Sequence, residues 1–255
     1  MPPGSSGPRR AGRSPLALIV IGVVIATMVA GFLALGVWQL ERRAWKLDLI
    51  RQVDARIHAE PAPAPGPDQW PAITRDHDQY RRVTVTGVFD HDRETLTQAV
   101  TDLGPGFWVL TPLRTDEGVT VLINRGFVPA DRRAPSGRPG GRLEGRQTVT
   151  GLLRLTEPHG GFLRANDPAV DRWRSRDVQA IAEHRGLTDA AHYFIDADAT
   201  PNPGGLPVGG LTVVRFPNSH LIYALTWFGL ALLTASGGVY LIRDSRRSRP
   251  SRDQG

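Results

Sequence analysis

The chain has 255 residues and a formal net charge of +6, enough for one sizeable domain plus membrane segments. It has no cysteine and only two methionines, Met1 and Met28. A disulfide framework, a thiol redox motif, a thiolate zinc site, a cysteine nucleophile and a methionine-rich Cu(I) site are therefore excluded.

Positive charge gathers at the ends. Arg9, Arg10 and Arg13 precede the first apolar run; Arg243, Arg246, Arg247, Arg249 and Arg252 follow the second. Placed there, they read as positive-inside signals and not as nucleic-acid contacts. The head (residues 1–15) and the tail (243–255) are expected on the cytoplasmic face of a bacterial cell (inner) membrane, with the central region outside. With each end so short, function is expected in the outer domain, in the membrane or in partner contacts.

Residues 16–37 carry no charge. At ~1.5 Å rise each they span ~33 Å, the thickness of the hydrocarbon layer. The run exceeds the ~7–15-residue apolar core of a signal peptide, so an uncleaved span is expected. Residues 220–242 form the second span, uncharged from Leu221 to Ile242.

Between them, residues 38–219 are expected to form an extracytoplasmic domain. Trp38, Trp45 and Leu49 recur at helical spacing among charges, predicting an amphipathic helical extension over 38–60. The run PAPAPGP over 61–67 reads as an extended linker. Val83 and Val85 alternate with Thr84 and Thr86 as in a half-buried strand. The segments FWVLTPLR and VTVLINRGF flank TDEG, a hairpin signal. RRAPSGRPGGR reads as a flexible loop, QTVTGLLRL and HYFIDAD as strands, and SRDVQAIAEHRG as a short helix ending at Gly186. The predicted fold class is a two-span membrane protein with a mainly-β (α+β) domain, an antiparallel sheet or small barrel.

Catalytic chemistry has no support. Phosphate loop, dinucleotide fingerprint and zincin motif are all absent, so the chain is read as a non-enzyme. Asp90-His91-Asp92 invites a metal reading, but strand alternation would split the aspartates from the histidine, and a solvated turn is favoured.

The spans say more. Gly22, Ala26, Ala30 and Ala34 form an i, i+4 ladder of small residues, and Ala231, Ala235 and Gly238 lie within ~60° of one another at ~100° per residue. Such stripes let helices approach closely in lipid. Projection puts His220, Tyr223, Ala224 and Trp227 on the continuation of the second stripe, facing the first helix. The expectation is a wedge, tight at the inner side and open toward the outer leaflet, with an imidazole at its rim. Haem would suit it. The alternative for His220 is a snorkelling rim residue or a hydrogen-bond partner. Gln39, Arg42, Arg43 and Arg215 share the outer rim; the arginines could meet haem propionates or lipid phosphates.

Several stretches in order resemble the Surfeit locus protein one family: LGVWQLERRAWKLDLI (35–50), YRRVTVTGVFDH (80–91), VLTPL (109–113), VLINRGFVP (121–129) and HLIYALTWFGL (220–230). The resemblance implies a two-span factor assisting assembly of cytochrome c oxidase, with the catalytic subunit and other assembly factors as partners and haem a as a transient cofactor. It places the family's second-span histidine on His220 and the tryptophan of its TW pair on Trp227. Arg125 and Gly126 fall on its RG pair, as structural residues. A cofactor-free membrane scaffold is the second reading. A copper chaperone is disfavoured by the missing Cys and Met, and nothing functional is expected around Ser136–Arg142.

Overall fold

The computed structural model describes residues 14–158, 160 and 164–247; the head arginines and Arg249 and Arg252 lie outside them. The chain divides into two compact units, Met1–Ile50 with Phe216–Gly255, and Arg51–Arg215.

The first unit is a helix pair. Helix α1 runs over Pro15–His58 and helix α4 over His220–Arg247. Both are long and apolar enough to cross a membrane. Helix α1 starts where Ser14 accepts the Ala17 N–H on its hydroxyl at 3.2 Å, with Pro15 in the first helical position. No charge interrupts it before Glu41.

The helices meet along a seam with alternating steps of four and three residues. On α1 the seam runs Leu18, Gly22, Ile25, Val29, Phe32, Gly36 and Gln39; on α4 it runs His220, Ala224, Trp227, Ala231, Thr234 and Gly238. This 3.5-residue period belongs to a left-handed coiled pair. The predicted i, i+4 ladder advances ~40° at each step, so it winds off the seam. Gly22 stays half-buried, while Ala26, Ala30 and Ala34 turn outward. The second stripe does face the partner: Ala231 and Gly238 are buried and Ala235 is half-buried.

The second unit is a small barrel. Its strands are β1 (Ala62–Pro63), β2 (Arg82–Phe89), β3 (Thr95–Thr101), β4 (Gly104–Thr115), β5 (Thr120–Pro129), β6 (Arg146–Leu155) and β7 (Ala190–Ala197). They lie in the order β1-β2-β6-β7-β5-β4-β3, and an extra β2–β4 pairing closes five of them into a ring. All neighbours run antiparallel except β5–β7 and β1–β2. The period-two pattern of β2 sends Val83, Val85 and Phe89 inward against Leu113, Ile123, Leu153, Tyr193 and Ile195. Outside the ring, helix α3 (Val178–His184) buries Val178 and Ile181 against Leu110, Leu122, Trp173 and Phe194. Asp177 caps α3 by accepting the Ala180 N–H at 3.3 Å. The one-turn helix α2 (Arg75–Asp78) precedes β2.

Segment 61–67 is not a free linker. Ala62 and Pro63 pair with Val83 and Thr84, and the Pro65 carbonyl accepts hydrogen bonds from Trp70 Nε1 at 3.0 Å and the Tyr193 hydroxyl at 2.8 Å. The loop over 134–142 is also pinned: Arg138 is 6% exposed and forms a two-point ion pair with Glu94. Prolines and glycines disguised both segments, because composition reports local stiffness and not the tertiary partners that hold a loop down.

Candidate functional site

His220 opens helix α4. Its Nδ1 lies 2.7 Å from Gln39 Oε1 on α1. An amide oxygen accepts, so Nδ1 donates in this contact and Nε2 is the ring nitrogen left to ligate a metal. Nε2 has no protein partner among the described residues. Two turns into the helix, Trp227 stacks on Phe32 with ring centres 5.7 Å apart and planes 25° from parallel. Gly36 lets the Phe228 ring come so close that a Cβ there would meet it at 2.5 Å.

These contacts correct the expected wedge. The pair is filled at the His220 end by Phe32, Trp227 and Phe228. Its open space, a groove of about 420 Å³ lined by Leu18, Ile25, Val29, Ala235, Gly238 and Ile242, lies at the opposite end. The reason is steric. Rings enter where glycine and alanine make room for them, whereas toward the other end no side chain comes within 4 Å of where a Cβ would stand on Gly22. Tyr223 is also misplaced by projection: it is 56% exposed, and Ala224, 1% exposed, takes the inward position.

Arg42 sits over the Trp45 ring at 4.0 Å. Arg43 is half-buried one turn beyond Gln39 on α1, and Arg215 is an exposed residue of the barrel unit. Sequence reasoning placed Gln39 on the rim without a role and missed Phe32. The four-three spacing through Phe32, Gly36 and Gln39 was the available signal.

For haem, the helix pair therefore supplies an imidazole whose Nε2 is left for iron, but the space between the helices beside it is filled by Phe32, Trp227 and Phe228. No cluster of three or more metal-ligating side chains occurs among the described residues. Asp90 pairs with Arg93, Asp92 pairs with Arg142, and His91 Nε2 donates to the Leu143 carbonyl at 3.0 Å, so that triplet is structural.

The barrel contains polar machinery of its own. Asp196, 3% exposed, accepts from Asn124 Nδ2 at 2.7 Å, Arg154 Nη1 at 2.6 Å, Arg176 Nη1 at 3.1 Å and the Thr212 hydroxyl at 3.0 Å. Glu157 engages the same two arginines. Gly126 has φ +128°, and a Cβ there would overlap the Val208 carbonyl. The 207–210 strap lies directly on β5 through reciprocal Phe127–Val208 backbone bonds of 2.8 and 2.9 Å. Gly126 is thus a structural residue, because no side chain fits under the strap.

Comparison with known proteins follows the same segments. A model of the SURF1 family matches residues 26–232. Surfeit locus protein 1 of Homo sapiens is 37% identical over 230 residues, covering 84% of this chain and 74% of the relative. The Mus musculus protein of the same name is 38% identical over 217 residues, covering 79% and 69%. A SURF1-like protein of Monosiga brevicollis is 38% identical over 223 residues, covering 82% of each. By the extent of these matches, the chain belongs to the SURF1 family.

Proposed function

We propose that this chain is a membrane-anchored assembly factor for cytochrome c oxidase that holds haem a transiently through His220 and presents it to the catalytic subunit. Both apolar helices would cross the bacterial cell (inner) membrane, with the two termini on the cytoplasmic side and the barrel outside. The observation that carries the haem reading is the Nδ1–Gln39 hydrogen bond of 2.7 Å, which leaves Nε2 free for iron. Outer partners of this kind orient a ligating imidazole and raise its basicity. The haem would bring the iron; the chain would contribute one imidazole ligand and its orientation, with Arg43, one turn beyond Gln39 on α1, a candidate for a propionate. A closed interhelical space suits transfer, because a macrocycle held at one point from the side of the pair leaves more readily than one buried between helices. Its remaining surroundings would come from lipid or from the receiving subunit. The chemistry is binding, not catalysis.

The same closed space favours a second reading, a cofactor-free scaffold for assembly intermediates. One experiment separates the two: purify the protein from cells that make haem a and compare optical spectra of the wild type, His220→Ala and Gln39→Leu. Loss of the haem bands in His220→Ala, with affinity about 10–100-fold weaker in Gln39→Leu, is the expected pattern. Equal haem content in wild type and His220→Ala would remove His220 from the mechanism. A haem-free preparation that still supports full oxidase assembly would select the scaffold.

A further inference from the structure

Arg125 is a buried cation with an open donor. It follows Val121 and Ile123 on the inward side of β5 and is only 2% exposed. Nη2 donates to Asn202 Oδ1 at 2.9 Å, and the guanidinium carbon lies 4.9 Å from the centre of the Phe89 ring. Nη1 is buried and has no hydrogen-bond partner among the described residues. Leaving a buried, charged donor unmet is strongly unfavourable, so such an atom calls for a partner that the described residues do not supply.

The charges agree. Glu94 is the carboxylate whose field supports Arg125, but Arg138 already holds both of its oxygens. Two guanidiniums therefore share one negative charge. Burial lowers Arg125 to about 10, Glu94 opposes that shift and Arg138 adds to it; the group remains charged at neutral pH.

Arg125 also lines a cavity of about 330 Å³ together with Phe89, Ile123, Leu143, Val149 and Asn202. Asp198, a carboxylate on the same wall, accepts the Thr200 N–H at 3.0 Å. We propose that this cavity binds a small monocarboxylate, whose anionic end meets the Arg125 guanidinium and whose hydrocarbon part lies against Phe89, Ile123 and Leu143. One uncompensated cation matches one negative charge; a phosphate dianion would leave a second charge buried without a partner. The volume falls at the lower end of the ~300–1,000 Å³ typical of small-molecule sites. This site is independent of the role given to His220.

The test uses the purified full chain in detergent at constant ionic strength. Its melting temperature is followed while titrating benzoate, butyrate, benzamide or inorganic phosphate. The expected result is a saturable rise with a carboxylate, none with isosteric but neutral benzamide, and a weaker effect of phosphate. Arg125→Met should lose the response. Asn202→Asp gives Arg125 a resident carboxylate and should also lose it, which keeps the test decisive if the methionine variant does not fold. No saturable response to either carboxylate, an equal response to benzamide or phosphate, or an undiminished response in Asn202→Asp would overturn the proposal.

Discussion

In the barrel, Asp196 collects four donors, two of them guanidiniums that also share Glu157. In the helix pair, His220 has Gln39, and the surrounding contacts are ring on ring and ring on glycine. Both regions fix a polar group in place, but by different means. The barrel does so by charge compensation around Asp196, where Arg154 and Arg176 are tied to Asp196 and Glu157 and removing a member strands the rest. The helix pair does so by shape: Trp227 stacks on Phe32, and the Phe228 ring seats against Gly36. A substitution that ruins one region should therefore be mild in the other.

The largest test of that contrast is Asp196→Ala. It leaves Arg154 and Arg176, with side chains 12% and 14% exposed, facing Glu157 alone. Chemical denaturation should show a loss of about 3–5 kcal/mol, with Asp196→Asn intermediate because it keeps hydrogen-bond capacity without the charge. A loss under ~1 kcal/mol would mean that the network is not what steadies the barrel. Next is Gly36→Leu, which changes no polar group. Its side chain would strike Phe228, at about 1–3 kcal/mol of overpacking. The natural chain lacks cysteine, so the paired substitutions Ile25→Cys and Gly238→Cys report the seam cleanly. Oxidative crosslinking should be efficient in the parent and reduced by Gly36→Leu, while the barrel melts unchanged. Unaltered crosslinking would show that the pair is not held by shape at that glycine.

Tyr193→Phe is the mildest. It removes the hydroxyl that donates to the Pro65 carbonyl, about 1 kcal/mol at neutral pH. Burial raises the Tyr193 phenol above its usual range. Its neutral form is thus favoured in the fold, and the associated stability is present below the unfolded value of ~10 and lost as pH rises through the folded one. Denaturant midpoints at pH 8 and pH 11 should converge in Tyr193→Phe relative to the parent. An identical alkaline decline in both proteins would place the sensitive group elsewhere.

How much of this was readable from the chain depends on the range of each signal. Alternation at Val83 and Val85, the TDEG hairpin and the helix after Asp177 are local patterns, and the structure has all three. Closure of β2 onto β4 and the parallel β5–β7 pairing depend on segments far apart in sequence, and no local period encodes them. Ring closure also explains why an arginine follows Val121 and Ile123 into the interior: the strand pattern fixes its side, whatever its chemistry. In the site, His220 and Trp227 were placed on one face correctly because three- and four-residue offsets share a stripe. Tyr223 fell just outside that stripe, where a projection at 100° per residue discriminates poorly from a 3.5-residue seam.

The proline segment has a further consequence. β2 pairs with β4 only over Gly87–Phe89, so its earlier residues would leave the ring with an open seam. β1 occupies it, matching Ala62 and Pro63 to Val83 and Thr84, with the Ala64 N–H bonded to the Thr84 carbonyl at 2.9 Å. Prolines at 61, 63 and 65 have no N–H to offer on the far side. A strand arriving from another copy finds few donors there with which to extend the sheet. The stretch that reads as a spacer is a gasket, sealing the barrel against its own kind as well as closing it.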